Sequence, residues 1–251
     1  RCADLGGHAK ANLEKLLLPK FLTSFKSIPG HINIALDSLE MSKEQIVERM
    51  FTSELEIDSW KLHKGKLEER DFEKMGPVMD KLGSAHIYID DTMGGSIVEL
   101  RAKARRLQME HGLDMLVIDY LQLMSGGNPM NRVQEISEIS RSLKQVAREL
   151  HIPVIALSQL SRNVESRPDK RPVLSDLRDS GSIEQDADIV IMLYREDYYN
   201  AEDCPEEERG TLEVNVLKNR HGASGKVVVG ADFSQMRFFD IQRHSQAGFG
   251  N

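Results

Sequence analysis

The amino-acid sequence predicts an α/β fold, a mostly parallel sheet flanked by helices and finished by a C-terminal β-hairpin. Three observations carry that expectation. Short apolar runs alternate with stretches of helical periodicity along most of the chain. The central run, Met115 to Ile118, is continuous rather than alternating, as suits a strand buried on both faces of a parallel sheet. Near the C-terminus two period-two segments flank Asn-Arg-His-Gly-Ala-Ser-Gly, the pattern of a hairpin.

Taken in order, residues 1–30 form an N-terminal extension or linker helix. Leu13, Leu16, Leu17 and Leu18 precede Pro19 and predict a short amphipathic helix over Asn12 to Leu22. It carries no catalytic pattern. Ile34 to Glu40 reads as a strand, after which Ser42 caps a helix, with Gln45 completing a capping box. A second helix is expected from about Glu68 to Leu82, then a strand over His86 to Ile89. Ile97, Leu100, Ala104 and Leu107 share one face of a helix spanning Ser96 to Glu110. Beyond the central strand, Val133, Ile136, Ile139, Leu143, Val146 and Leu150 mark another. Ile152 to Leu157 and Ile189 to Tyr194 are expected as buried strands. Residues 196–210 read as an acidic, solvated loop. Thr211 to Lys218 and Lys226 to Phe233 make the hairpin, expected at the sheet's edge, and residues 244–251 a short tail.

The 251 residues suffice for one large α/β domain with a short extension. No apolar run approaches the roughly 20 residues that span a bilayer, and no signal-peptide pattern opens the chain; no membrane partner is expected. Cys2 and Cys204 are too few and too distant to suggest a disulfide framework or a zinc site, so a reducing cytoplasm is the default. The net charge of −7 and pI near 5.7 are not the overall signature of a nucleic-acid binder. A ring or groove protein, however, needs positive charge only on its inner wall.

Polar groups stand at three strand ends: Glu40, Asp119 and Gln159. If those strands are parallel, the side chains converge on one crevice, where open α/β sheets bind ligands. An Asp for the metal, a Glu to activate water and a Gln to sense a γ-phosphate make a coherent set for NTP hydrolysis. Any one of them is as readily a polar residue hydrogen-bonding at a strand end; three in succession favour the chemical reading. In the run Asp176 to Asp188, Gly181 suits close approach to another backbone and Arg178 is available to a phosphate, although a charged surface loop has the same composition. Lys218 and Arg220, two apart at the hairpin, should point the same way. They read either as a solvated tip or as a pair reaching a neighbour's nucleotide.

Five ordered motifs then give the chain a resemblance to the bacterial replicative DNA helicases of the DnaB type. They are Ser38-Leu39-Glu40-Met41-Ser42, Ile118 to Leu123, Ala156 to Arg162, Arg178 to Asp188 and Lys218 to Gly222. The resemblance covers roughly residues 31–240. It implies a RecA-like P-loop NTPase core over residues 31–243, a homohexameric ring, ATP and Mg²⁺ as cofactors, and 5′-to-3′ movement on single-stranded DNA. It also implies a primase and a helicase loader as partners, at bacterial replication forks. By the same resemblance, Glu40 corresponds to the catalytic base and Asp119 to the Walker B carboxylate on the Mg²⁺ side. Gln159 resembles the glutamine coupling nucleotide to DNA, and Arg49 a further arginine near the phosphates. Arg178, Asp179 and Gly181 fall in a DNA-backbone loop. Lys218 and Arg220 resemble the lysine and arginine finger that enter the next subunit's ATP site.

Two departures stand against this. No Gly-x-x-x-x-Gly-Lys-Ser/Thr occurs anywhere in the chain. Pro29-Gly30 lies only a few residues from Ser38, where the family places the phosphate loop, its helix and the next strand. A core lacking that first βα unit should be left open at the centre of its sheet. Residues 1–24 also fail to match the family's primase-binding N-terminal domain. The alternatives are a RecA-fold recombination or branch-migration ATPase, and a non-catalytic ring subunit or scaffold.

Overall fold

The computed structural model describes residues 32–92, 95–125 and 131–241, without the side chains of residues 178–180. The helix expected over Asn12 to Leu22 and the tail from 244 lie outside the described residues.

The parallel part of the fold begins at β1 (Ile34–Ser38). It stops at Ser38 rather than at Glu40, because the Ser38 hydroxyl accepts from the Met41 N–H at 3.3 Å and donates to its carbonyl at 2.9 Å, turning the chain. Ser42 then caps α1 (Lys43–Leu55) in the expected capping box with Gln45. A short α2 (Ser59–His63), capped by Asp58, adds to the expected elements. Then come α3 (Glu69–Gly83), β2 (Ile87–Asp90), α4 (Ile97–His111), β3 (Met115–Asp119), α5 (Arg132–Leu150) and β4 (Val154–Ala156). Strand order is β2-β1-β3-β4, and every pair is parallel.

Alternation along these strands sends side chains to two cores. Ile34, Leu36, Met115 and Val117 pack with Ile46 and Met50 of α1. Leu116 and Ile118 face Leu100 and Ala104 of α4 and Ile136, Ile139, Leu143 and Val146 of α5. Val133 leaves the predicted stripe: it is 51% exposed in the first turn of α5.

The rest of the chain departs from a single parallel sheet. After α6 (Asn163–Ser166), a 3₁₀ segment (Leu174–Ser180) leads directly into α7 (Gly181–Asp186). β5 (Ile189–Tyr194) then pairs antiparallel with β6 (Thr211–Asn219), followed by β7 (Gly225–Asp232) and β8 (Arg237–Asp240). The order β5-β6-β7-β8 is a separate four-stranded sheet. The hairpin is therefore interior to a second sheet and not at the edge of the first. Residues 196–210 are not simply solvated: α8 (Glu196–Tyr199) anchors Glu196 to the Tyr194 hydroxyl at 2.9 Å and to Arg171 at 3.2 Å.

The opening anticipated at the sheet's centre falls between β4 and β5. Ala156 is exposed rather than buried, and Ile189 and Ile191 are 55% and 53% exposed, because no described strand lies between the two sheets to cover them. Helices join the halves instead. Ile183, Val190 and Met192 share the core under α5, the Ser182 hydroxyl donates to that of Ser137 at 2.8 Å, and the β7–β8 turn returns to α1 and α2. There the Ser53 hydroxyl donates to the Met236 carbonyl and the Ser59 N–H to the Ser234 carbonyl, both at 3.0 Å.

Candidate nucleotide site

Parallel pairing of β1, β3 and β4 brings Glu40, Asp119 and Gln159 to one end of one sheet. Ser38 stands opposite Asp119 in register, and the Leu39 N–H donates to the Asp119 carbonyl at 2.8 Å. Glu40 thus follows immediately beside the buried Asp119, which is 1% exposed, while Glu40 itself faces solvent. On the other side the Leu157 N–H donates to the Ile118 carbonyl at 3.0 Å, so the β4 end with Gln159 adjoins the same tip.

Arg49, on α1 about two turns beyond its cap, belongs with this group. Burial lowers its guanidinium from the usual arginine range, opposed by the charges of Glu48, Asp119 and Glu40. The guanidinium thus lies near enough to feel the charge of both carboxylates at the strand ends.

One residue of this site is not among those the sequence points to. Gln122 donates from Nε2 to the Ser158 hydroxyl at 3.0 Å and to the Gln159 carbonyl at 3.1 Å, and its Oε1 accepts from the Gln159 N–H at 3.1 Å. It fixes the backbone from which Gln159 projects, and Arg132 in turn donates to the Gln122 carbonyl. The available signal is a lone amide between Leu121 and Leu123 just past Asp119.

Lys218 and Arg220 do point the same way, but not as a solvated tip. Lys218 Nζ donates to the Glu184 carbonyl at 2.5 Å. Arg220 donates to Asp188 Oδ1 at 2.8 Å and to the Gln185 carbonyl at 3.0 Å. Both rest on the C-terminal end of α7, on a different sheet from Glu40 and Asp119, so this chain divides the predicted residues into two groups. Asp188 also accepts from Lys144, and that bond holds its carboxyl below the usual range against burial, helped by Arg220 and His221.

Gly181 starts α7 with nothing within 4 Å of where a Cβ would stand, so no described backbone of this chain demands a glycine there. The side chains of Arg178 and Asp179 lie outside the described residues; their backbone is 3₁₀ and not the expected loop. The segment is tied back to the strand-end group, because the Ser161 N–H donates to the Asp176 carbonyl at 2.8 Å.

Two neighbouring carboxylates with an arginine at hand suit the cation side of a magnesium-nucleotide site, since Mg²⁺ is a hard ion held through oxygen. The phosphate side is not present among the described residues. A cradle needs a run of backbone N–H groups at a helix N-terminus after a strand, and β1 begins at Ile34, directly after the segment where that unit would lie. The residues here fit half of such a site.

Comparison with known proteins identifies the family and the fold. A family profile described as the DnaB-like helicase C terminal domain matches residues 17–240. The replicative DNA helicase DnaB of Geobacillus stearothermophilus is 52% identical over 213 residues, covering 84% of this chain and 46% of that protein. The replicative DNA helicase DnaC of Bacillus subtilis (strain 168) is 51% identical over the same length and shares. The chain thus spans about half the length of the curated relatives it matches. Among solved structures, one described as an ATPase domain superposes with a TM-score of 0.85 at 36% identity, covering 91% of this chain and 80% of that one. A DnaB-like replicative helicase studied with primase gives 0.80 at 38% identity, covering 84% and 51%. The profile match over most of its length, the identity to the curated relatives and the RecA-like arrangement of parallel strands and helices place this chain in the DnaB-like helicase C-terminal domain family.

Proposed function

We propose that this chain is the motor region, residues 31–243, of a replicative DNA helicase. On this reading it is an ATP hydrolase working as a homohexameric ring, moving 5′-to-3′ on single-stranded DNA and parting the duplex at a replication fork. What supports the reading is that Asp119 stands at, and Glu40 and Gln159 lie just past, the same ends of three adjacent parallel strands. Asp119 would hold Mg²⁺ on the nucleotide, and Glu40 stands where it would take the proton of the attacking water. Gln159, held by Gln122, reports the state of the γ-phosphate to the DNA side, and Arg49 adds positive charge near the phosphates. Lys218 and Arg220 leave α7 to serve the next subunit's site. Arg178, Asp179 and Gly181 line the DNA channel and contact its backbone, which suits a machine indifferent to sequence. Primase, a helicase loader and a place in the bacterial cytoplasm at the nucleoid follow from the same reading. Membership of the helicase family removes the support for a recombination ATPase.

One observation favours a second reading. Without a phosphate cradle, the chain enters a ring and offers Lys218, Arg220 and the DNA-facing segment to its neighbours, but turns over no ATP itself. Phosphate release separates the two. DNA-stimulated turnover by the purified chain, with unwinding of a forked duplex, supports the first. No turnover alone, combined with incorporation into rings of the Geobacillus stearothermophilus relative, supports the second. A chain that neither turns over ATP nor joins such rings would sink both.

A further inference from the structure

Under α4, on the sheet face that carries Ala35 and Leu116, lies a cavity of about 250 Å³. Its apolar wall is made by Ala35, Leu100, Ala104, Leu107 and Leu116, with Tyr88 at one side. The charged wall is less usual. Asp37 sits inside the apolar run of β1 and is 6% exposed, and no described residue hydrogen-bonds its carboxylate. Asp90, opposite it in register on β2, is already engaged: Lys103 lies 2.5 Å from one oxygen, and the Thr92 hydroxyl donates to the other at 2.6 Å. At the exposed mouth Arg106 pairs with Glu110 at 2.8 Å. Three carboxylates therefore face two cations, and the negative charge left over is that of Asp37.

A buried carboxylate with no hydrogen bond is costly, and a cavity this large beside it has room for a donor. An apolar cavity of roughly 150 Å³ admits benzene, so this one accommodates a ring together with a short polar arm. We propose that the cavity binds a small organic monocation, a protonated primary amine on a one-ring apolar body, with the ammonium donating to Asp37 and Asp90. The ring packs on Ala35, Leu100, Ala104 and Leu116. This site lies apart from Glu40 and Asp119, and the proposal does not rest on the helicase reading.

The charged or titratable groups facing Asp37 are Asp90 on β2 and Lys103 on α4, with Glu99, Arg106 and Glu110 further along α4 and His111 stacked on Tyr88. Burial, and then Asp90, push the Asp37 carboxyl up to about 6, while Lys103 pulls it down. The test is a calorimetric titration of the whole chain with 2-phenylethylamine, 2-phenylethanol and 3-phenylpropionate, at pH 7.5 and 5.0. Saturable binding is expected for the amine alone, about tenfold weaker at pH 5.0, where roughly a tenth of Asp37 remains ionised. Asp37→Asn, which keeps the shape and removes the buried charge, should weaken the amine at least about tenfold at pH 7.5 and abolish the pH dependence. Equal affinity for the alcohol, an amine affinity unmoved by Asp37→Asn or by pH, or no saturable binding of the amine in the millimolar range would each overturn the proposal.

Discussion

Removing the Asp176 carboxylate is expected to loosen the segment that links the strand ends to residues 178–181. Asp176 is 4% exposed, and its oxygens accept from Arg167 Nη1 at 3.0 Å, Arg167 Nη2 at 2.8 Å and the Val173 N–H at 2.8 Å. Arg167 also donates to the Arg171 carbonyl at 3.0 Å, so one guanidinium closes the loop from both sides. Taking one partner from a buried pair costs about 3–5 kcal/mol, because the other is left buried and charged. The Arg167 side chain is 33% exposed, and water recovers part of that loss. Asp176→Ala should therefore destabilise by about 2–3 kcal/mol. Urea unfolding of Asp176→Ala, Arg167→Ala and the double variant gives the coupling directly, and we expect about 1.5 kcal/mol or more, with an unchanged denaturant slope. Single-stranded DNA affinity should fall in both single variants under conditions where each remains folded. A coupling below about 0.5 kcal/mol would refute the reasoning, since the pair would then not act as a unit.

Other outcomes follow from the same structure. Ser42→Ala removes the side chain that caps α1 and should cost about 1 kcal/mol, read as a lowered Tm. Asp37 holds its proton more tightly folded than unfolded, so its contribution to stability falls as pH rises from about 4 through 6. Asp37→Asn should accordingly be more stable than the parent at pH 7.5, by about 1–3 kcal/mol, and equal to it near pH 4; a Tm difference that does not change with pH would contradict this. Arg220→Ala loses contacts that are half exposed and should change stability by less than about 1 kcal/mol. In rings mixed with a phosphate-loop-bearing relative it should cut hydrolysis on the order of 10³-fold. Arg178→Ala should weaken single-stranded DNA binding uniformly across sequences and make its logarithmic salt dependence shallower by about 0.7.

Elements that announce themselves by long periodicity are legible in the sequence. α4 and α5 fall within a residue or two of their expected bounds because their apolar stripes and the caps Ser96 and Asn131 agree. Residues whose character depends on distant partners are not. Ile189 to Tyr194 reads equally well as a parallel or an antiparallel strand, and only its pairing with β6 decides. β8 has four residues, and its place follows from β7 rather than from its own pattern. At the candidate site, strand-end position is readable from apolar runs meeting a polar residue, which locates Glu40, Asp119 and Gln159. The present partners of Lys218 and Arg220 are hidden, because they include backbone carbonyls of α7 that no pattern reveals. Asp37 does not stand out although a carboxylate within Ile-Ala-Leu-Asp-Ser is visible, since sequence alone does not tell a strand's buried face from its exposed one.

The seam between β4 and β5 bears on how force passes through the molecule. A continuous sheet carries load along its ladder of backbone hydrogen bonds, and such a ladder resists sliding. Across this seam the two sheets are coupled through packed side chains on α5 and α7, the half-exposed bridge from Lys144 through Asp188 to Arg220, and a few bonds at the β7–β8 turn. Side-chain packing of that kind yields by small sliding steps. A pull applied at the β6–β7 tip is thus expected to load the Arg220–Asp188–Lys144 bridge to α5 and the packing beneath that helix before it strains the strands that end in Asp119.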